Sequence, residues 1–64
     1  MSDFKTRLID EKEELSVKAN KLEVFLVSDG VLKIDPTQLA LLKAQLPAMK
    51  TYLTILETRI DLLN

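Results

Sequence analysis

Ser28-Asp29-Gly30-Val31-Leu32-Lys33-Ile34-Asp35-Pro36-Thr37-Gln38 holds the only glycine and the first of two prolines, and divides a 64-residue chain into two segments of similar length. Asp35 is placed to cap a helix, Pro36 to follow at the first helical position where its missing N–H does no harm, and Gln38 to complete a capping box. Ile34 before the cap and Leu39 after it have the spacing of a hydrophobic staple, which fixes the angle at which the chain enters that helix. Upstream, Gly30 is the residue best able to adopt the left-handed conformation that ends many helices. The stretch therefore predicts an all-α fold: a two-helix antiparallel hairpin forming one domain over 1–64, with helix one about 2–28, a turn about 29–35 and helix two about 36–63.

Downstream of the cap, Leu39, Leu42, Leu46, Met49, Leu53, Leu56, Ile60 and Leu63 recur at alternating three- and four-residue steps, the spacing of one helix face. Pro47 interrupts this run. It cannot donate to the carbonyl of Lys43 and its ring crowds that group, so a kink or local break is expected there; a helix that begins afresh at Pro47 is the other reading. Upstream of the turn, Ser2 is a candidate cap with Asp3 in the first helical turn, and Phe4, Leu8, Leu15, Leu22 and Phe25 form a stripe. On this stripe Glu11 and Lys18 occupy two seam positions. A buried charge is costly unless paired, so each either reaches solvent, pairs with a neighbouring subunit or, for Lys18, faces a polar pocket that takes an anion.

The two segments differ in polarity. Most charges lie in helix one, which makes it the solvated element. Helix two carries a second apolar series, Leu41, Ala48, Ile55 and Leu62, at intervals of seven, which a two-helix hairpin leaves in water. So small a chain usually relies on disulfides, a metal or partner subunits, and with no Cys and no His the first two have no ligands. A helical homo-oligomer built around helix two is expected.

Composition also narrows the chemistry. Without His or Cys there is no zinc site, no Ser-His-Asp or Cys-His catalysis, and no metal or cofactor is expected. Helical carboxylate pairs such as Asp10 with Glu14 belong to a charged surface, and no glycine-rich phosphate loop is present, so enzyme activity is not expected. The net charge of −1 lacks the clustered cations that duplex nucleic acid or an anionic membrane requires. No apolar run approaches the ~20 residues that span a bilayer, and Met1-Ser2-Asp3-Phe4-Lys5 lacks the apolar core of a signal peptide; an intracellular location is the expectation.

Gln38, Gln45, Tyr52 and Arg59 form one more series at intervals of seven, on an edge of helix two beside the second apolar stripe. Either they are flanking positions of a coiled-coil seam that cover its core and set register, or they line a cleft between subunits. In the second reading Tyr52 offers a stacking face for a base and Arg59 a fork for phosphate. Thr51, Thr54 and Thr58 form a polar stripe expected to face solvent or bond the preceding turn's carbonyls.

Asp3-Phe4-Lys5 through Leu8, Glu13-Glu14-Leu15, Lys21-Leu22-Glu23 and, most specifically, Gln45-Leu46 through Ile60 resemble a family of short helical proteins of crAss-like and other tailed phages and prophages, mostly of unknown function. Pro47 departs from its pattern, where a helix-favouring residue is more usual. The resemblance implies a phage accessory protein acting in the host cytoplasm. Compact oligomeric phage proteins include sponges that sequester the nucleotide signals of bacterial immunity, such as cyclic oligonucleotides or ADP-ribose derivatives. On that implication the ligand-binding residues are Lys18 and Arg59 for phosphates, Tyr52 for a base, and Gln45 for a base edge or ribose hydroxyl. The alternative is a coiled-coil adaptor or inhibitor that docks its exposed stripe on a host or phage protein; a purely structural coiled-coil element is a third reading.

Overall fold

The computed structural model describes residues 3–63, so the Ser2 cap lies outside the described residues. Two α-helices run antiparallel, α1 over Asp3–Leu26 and α2 over Pro36–Asp61, joined by a 3-10 turn at Asp29–Lys33. The result is a rod of 46 × 15 × 14 Å. The helices end two residues earlier than the sequence boundaries suggest, within the fraying expected of helix ends.

Capping follows the sequence at α2. Asp35 accepts from the backbone N–H groups of Thr37 (2.9 Å) and Gln38 (3.1 Å), which satisfies two of the four donors a helix start leaves unpaired. Gln38 contributes through its backbone. The turn before it works differently from expectation. Gly30 does not have a positive φ; it sits inside the 3-10 segment, whose start is capped by Ser28 accepting from the Gly30 N–H at 3.2 Å. The glycine is required for space instead: a Cβ there would lie 2.7 Å from Cε1 of Phe25. The ring of Phe25 is folded onto the turn, and α1 ends because Ser28, not glycine, redirects the chain by donating its hydroxyl to the Phe25 carbonyl at 2.7 Å.

α2 continues through Pro47 as one element, so neither the local break nor a new start occurs there, and the change of direction lies ahead of Pro36 and not at the kink expected near Pro47. Pro47 is exposed, so the N–H it lacks falls on the solvent side of α2.

The inward face of α2 is the predicted one as far as Ile60: Leu39, Leu42, Leu46, Met49, Leu53 and Ile60 are half-buried and Leu56 is fully buried, whereas Leu63, beyond the end of the helix, is exposed. That of α1 is rotated from the predicted stripe. Lys5, Leu8, Lys12, Leu15, Ala19, Leu22 and Leu26 face inward; of the predicted stripe Leu8, Leu15, Leu22 and Phe25 are at least half-buried, whereas Glu11 and Lys18 are exposed and Phe4 is 54% exposed. Long-range contacts fix the register. Tyr52 meets Glu11 on one side of the hairpin and Lys50 meets Glu23 on the other, so residue 51 stands level with the midpoint of 11 and 23, residue 17. That register stacks Leu8 with Ile60, Lys12 with Leu56, Leu15 with Leu53, Ala19 with Met49, Leu22 with Leu46 and Leu26 with Leu42, every member inward-facing. The buried Ala19 is thus level with the longer, half-buried Met49, and the half-buried Lys12 with the fully buried Leu56. Leu8, Ala19 and Leu56 are the buried core of the described chain.

Candidate functional site

In an antiparallel helix pair the residues that flank the seam on one side meet those that flank it on the same side of the partner helix. On α1 these positions are Phe4, Glu11, Lys18 and Phe25, and on α2 they are Arg59, Tyr52, Gln45 and Gln38, each set at intervals of seven. Two of the cross-pairs make contact. The Tyr52 hydroxyl donates to Oε2 of Glu11, and the Arg59 guanidinium carbon lies over the Phe4 ring, 5.9 Å from its centroid. One heptad further, Lys18 and Gln45 stand in the same relation. All four candidate binding residues, Lys18, Gln45, Tyr52 and Arg59, therefore share one edge of the hairpin.

Each is exposed and differently engaged. Gln45 donates to the Met49 sulfur at 3.6 Å, a weak bond to a poor acceptor. Lys18 makes no hydrogen bond or ion pair among the described residues; it lines a surface depression on α1 with Glu13, Glu14, Val17 and Lys21. Another depression, formed by Asp3, Thr6 and Arg7, includes none of the four. The Tyr52 phenol is held above its ordinary value near 10, chiefly because its hydrogen bond to Glu11 requires the proton; desolvation and the Glu11 charge act in the same direction, and the Arg59 charge opposes them. The phenol is thus a donor at neutral pH.

Beside this edge on α2 runs the second apolar stripe, and it is open: Leu41, Ala48, Ile55 and Leu62 are all exposed, Leu62 at 80%. The opposite edge of the hairpin carries an ordinary surface ion pair, Lys50 to Glu23 at 3.2 Å. Thr54 and Thr58 bond the carbonyls of Lys50 and Thr54, as their spacing suggests.

Sequence reasoning grouped the α2 residues correctly and missed two members of the edge. Glu11 and Phe4 read as seam positions in the sequence, yet they contact Tyr52 and Arg59 on the edge. The signal that could have found them is numerical: positions 4, 11, 18 and 25 pair with 59, 52, 45 and 38 in reverse order. The edge has a limit as a single-chain site, because Gln45 and Arg59 are two heptads apart, about 21 Å along the helix. It offers cations at its ends and a phenol, an amide and a carboxylate between them, a set that can bind and orient an anion-bearing ring compound but contains no nucleophile–base pair. No group of acidic residues suited to a metal ion occurs among the described residues, and no helix there is long and apolar enough to cross a membrane.

No curated protein and no solved structure matches the chain. A family model described as Sequestin matches residues 2–62, nearly the whole length. The family name denotes sequestration, which points to a binder rather than a catalyst.

Proposed function

We propose, since this chain belongs to the Sequestin family, that it sequesters a nucleotide immune signal, a cyclic oligonucleotide or an ADP-ribose derivative, between subunits of a homo-oligomer and without catalysis. One observation carries the reading: the edge with Lys18, Gln45, Tyr52 and Arg59 adjoins the open stripe of Leu41, Ala48, Ile55 and Leu62, so a surface that calls for a second subunit also holds the groups that a nucleotide calls for. Arg59 and Lys18 take phosphate oxygens, Tyr52 stacks on a base or donates its hydroxyl, and Gln45 reads a base edge or ribose hydroxyl. The setting is counter-defence by a phage in the host cytoplasm.

The test is a thermal-shift screen against cyclic di- and trinucleotides and ADP-ribose derivatives, since a ligand of the folded state raises its melting temperature. A positive shift is expected with at least one member. For that ligand Arg59→Ala and Tyr52→Ala should weaken binding by about tenfold to a hundredfold, the range for losing a charge-assisted hydrogen bond, and leave the oligomer intact. No shift across the whole panel overturns the reading and favours the adaptor, for which the open stripe would be a protein-docking surface.

A further inference from the structure

We propose that a second copy of this chain seats face to face on this edge, about a two-fold axis that crosses α2 between Thr51 and Tyr52 and α1 between Ser16 and Val17. Arg59 of one copy then stands beside Gln45 of the other. The inference rests on the sequestering reading only for the purpose of the site; its geometry comes from three features of the chain.

The first is the span already noted. On one chain Arg59 lies about 21 Å from Gln45, too far for one small ligand to bridge. Turning a second copy end for end about the stated level places residue 59 of one α2 beside residue 45 of the other, and Tyr52 beside its own counterpart. Two equivalent sites result, each incomplete without the partner copy.

The second is the apolar stripe. Its four residues are centred midway between Ala48 and Ile55. About that centre an antiparallel copy sets Leu41 against Leu62 and Ala48 against Ile55, a small residue opposite a large one. A parallel copy would set Ala48 against Ala48 and leave a void.

The third is charge on α1, independent of the stripe. The same face of α1 carries Glu11, Glu14, Lys18 and Lys21, all exposed. An antiparallel copy centred near residue 16 sets Glu11 against Lys21 and Glu14 against Lys18, each twice over. A parallel copy sets each charge against its like, which is unfavourable. The hairpin register makes residue 51 of α2 level with residue 17 of α1. The centre demanded by the stripe and the centre demanded by the charges therefore fall at the same height on the rod, where a single axis serves both.

The chain has no cysteine, so engineered thiols report position cleanly. An Arg59→Cys chain and a Gln45→Cys chain, mixed and treated with a short thiol-to-thiol cross-linker, should give a species of about twice 7.3 kDa, and either alone should not. Self-linking of the Arg59→Cys chain, or no link in the mixture, overturns the arrangement. A second readout uses charge. Lys18→Glu/Lys21→Glu and Glu11→Lys/Glu14→Lys chains should each be monomeric by light scattering where the unmodified chain is a dimer, and their equimolar mixture should recover the dimer. A mixture that stays monomeric, or an unmodified chain that is itself monomeric, overturns it. Neither readout uses a ligand: cross-linking with a negative ligand screen defeats sequestration and not the dimer, and a thermal shift without cross-linking defeats the dimer and not sequestration.

Discussion

α1 and α2 are nearly equal in length, 24 and 26 residues, yet they meet with unequal resources. α2 brings an unbroken apolar seam and a second apolar stripe; α1 brings a seam in which Lys5 and Lys12 take places that α2 gives to leucine and isoleucine. The face α2 presents is determined by its own sequence. The face α1 presents is selected by what α2 offers, because the lysine stems can cover leucine while their ends reach water. One helix acts as a template for the other.

That asymmetry can be broken in order of cost. Leu56 has no exposed surface, and Leu56→Ala should destabilise by about 2–5 kcal/mol, a large share of the stability of so small a domain; helical circular dichroism should fall at room temperature. A loss no greater than that of Leu46→Ala, which is only half-buried, would show that α2 is not anchored at this layer. On the α1 side, Ala19→Leu should cost about 1–3 kcal/mol by overfilling the layer shared with Met49, measured by thermal or denaturant melting. A neutral result would place α1 at a different rotation. Asp35→Ala should cost about 1 kcal/mol by freeing two N–H groups at the start of α2.

The edge contacts are weaker and are better read by titration. The folded chain holds the Tyr52 proton more tightly than the unfolded one, so this contribution to stability is fully present below about pH 10 and is lost as pH rises through the folded value. With one tyrosine and no tryptophan, phenolate absorbance reports it directly, and Glu11→Gln should move the transition toward the ordinary value. An unmoved transition would mean that Glu11 does not hold the phenol. Smallest of all, Lys50→Ala removes a half-exposed ion pair and should change the melting free energy by about 0–1 kcal/mol.

How far the sequence could be read follows from the same asymmetry. The α2 seam, its cap and its exposed stripe were legible because leucine, isoleucine and the Asp35-Pro36 pair state their roles without ambiguity. α1 admits two stripes that share Leu8, Leu15 and Leu22 and differ by one residue at every other position. Phe4 and Phe25 favour the other one, since aromatic rings suggest burial; here Phe25 is half-buried against Gly30 of the turn, and Phe4 lies exposed beneath Arg59. Ala19 is too weakly apolar to announce a buried layer, and only the presence of α2 decides between Lys18 and Ala19. The edge proposed to bind was half legible for the same reason: its α2 members are periodic polar residues in an apolar helix, and its α1 members are lost among other charges.

The pair of Arg59 with Phe4 also has a mechanical consequence. Covalent connection joins the two helices at the 3-10 end; at the other end of the rod this ring-and-guanidinium clasp is among the contacts that hold α1 to α2. Amide exchange should be fastest there in the isolated chain. Whatever engages Arg59 also tightens the clasped end, so occupancy is readable as slowed exchange along the first turn of one helix and the last turn of the other, far from the turn that joins them.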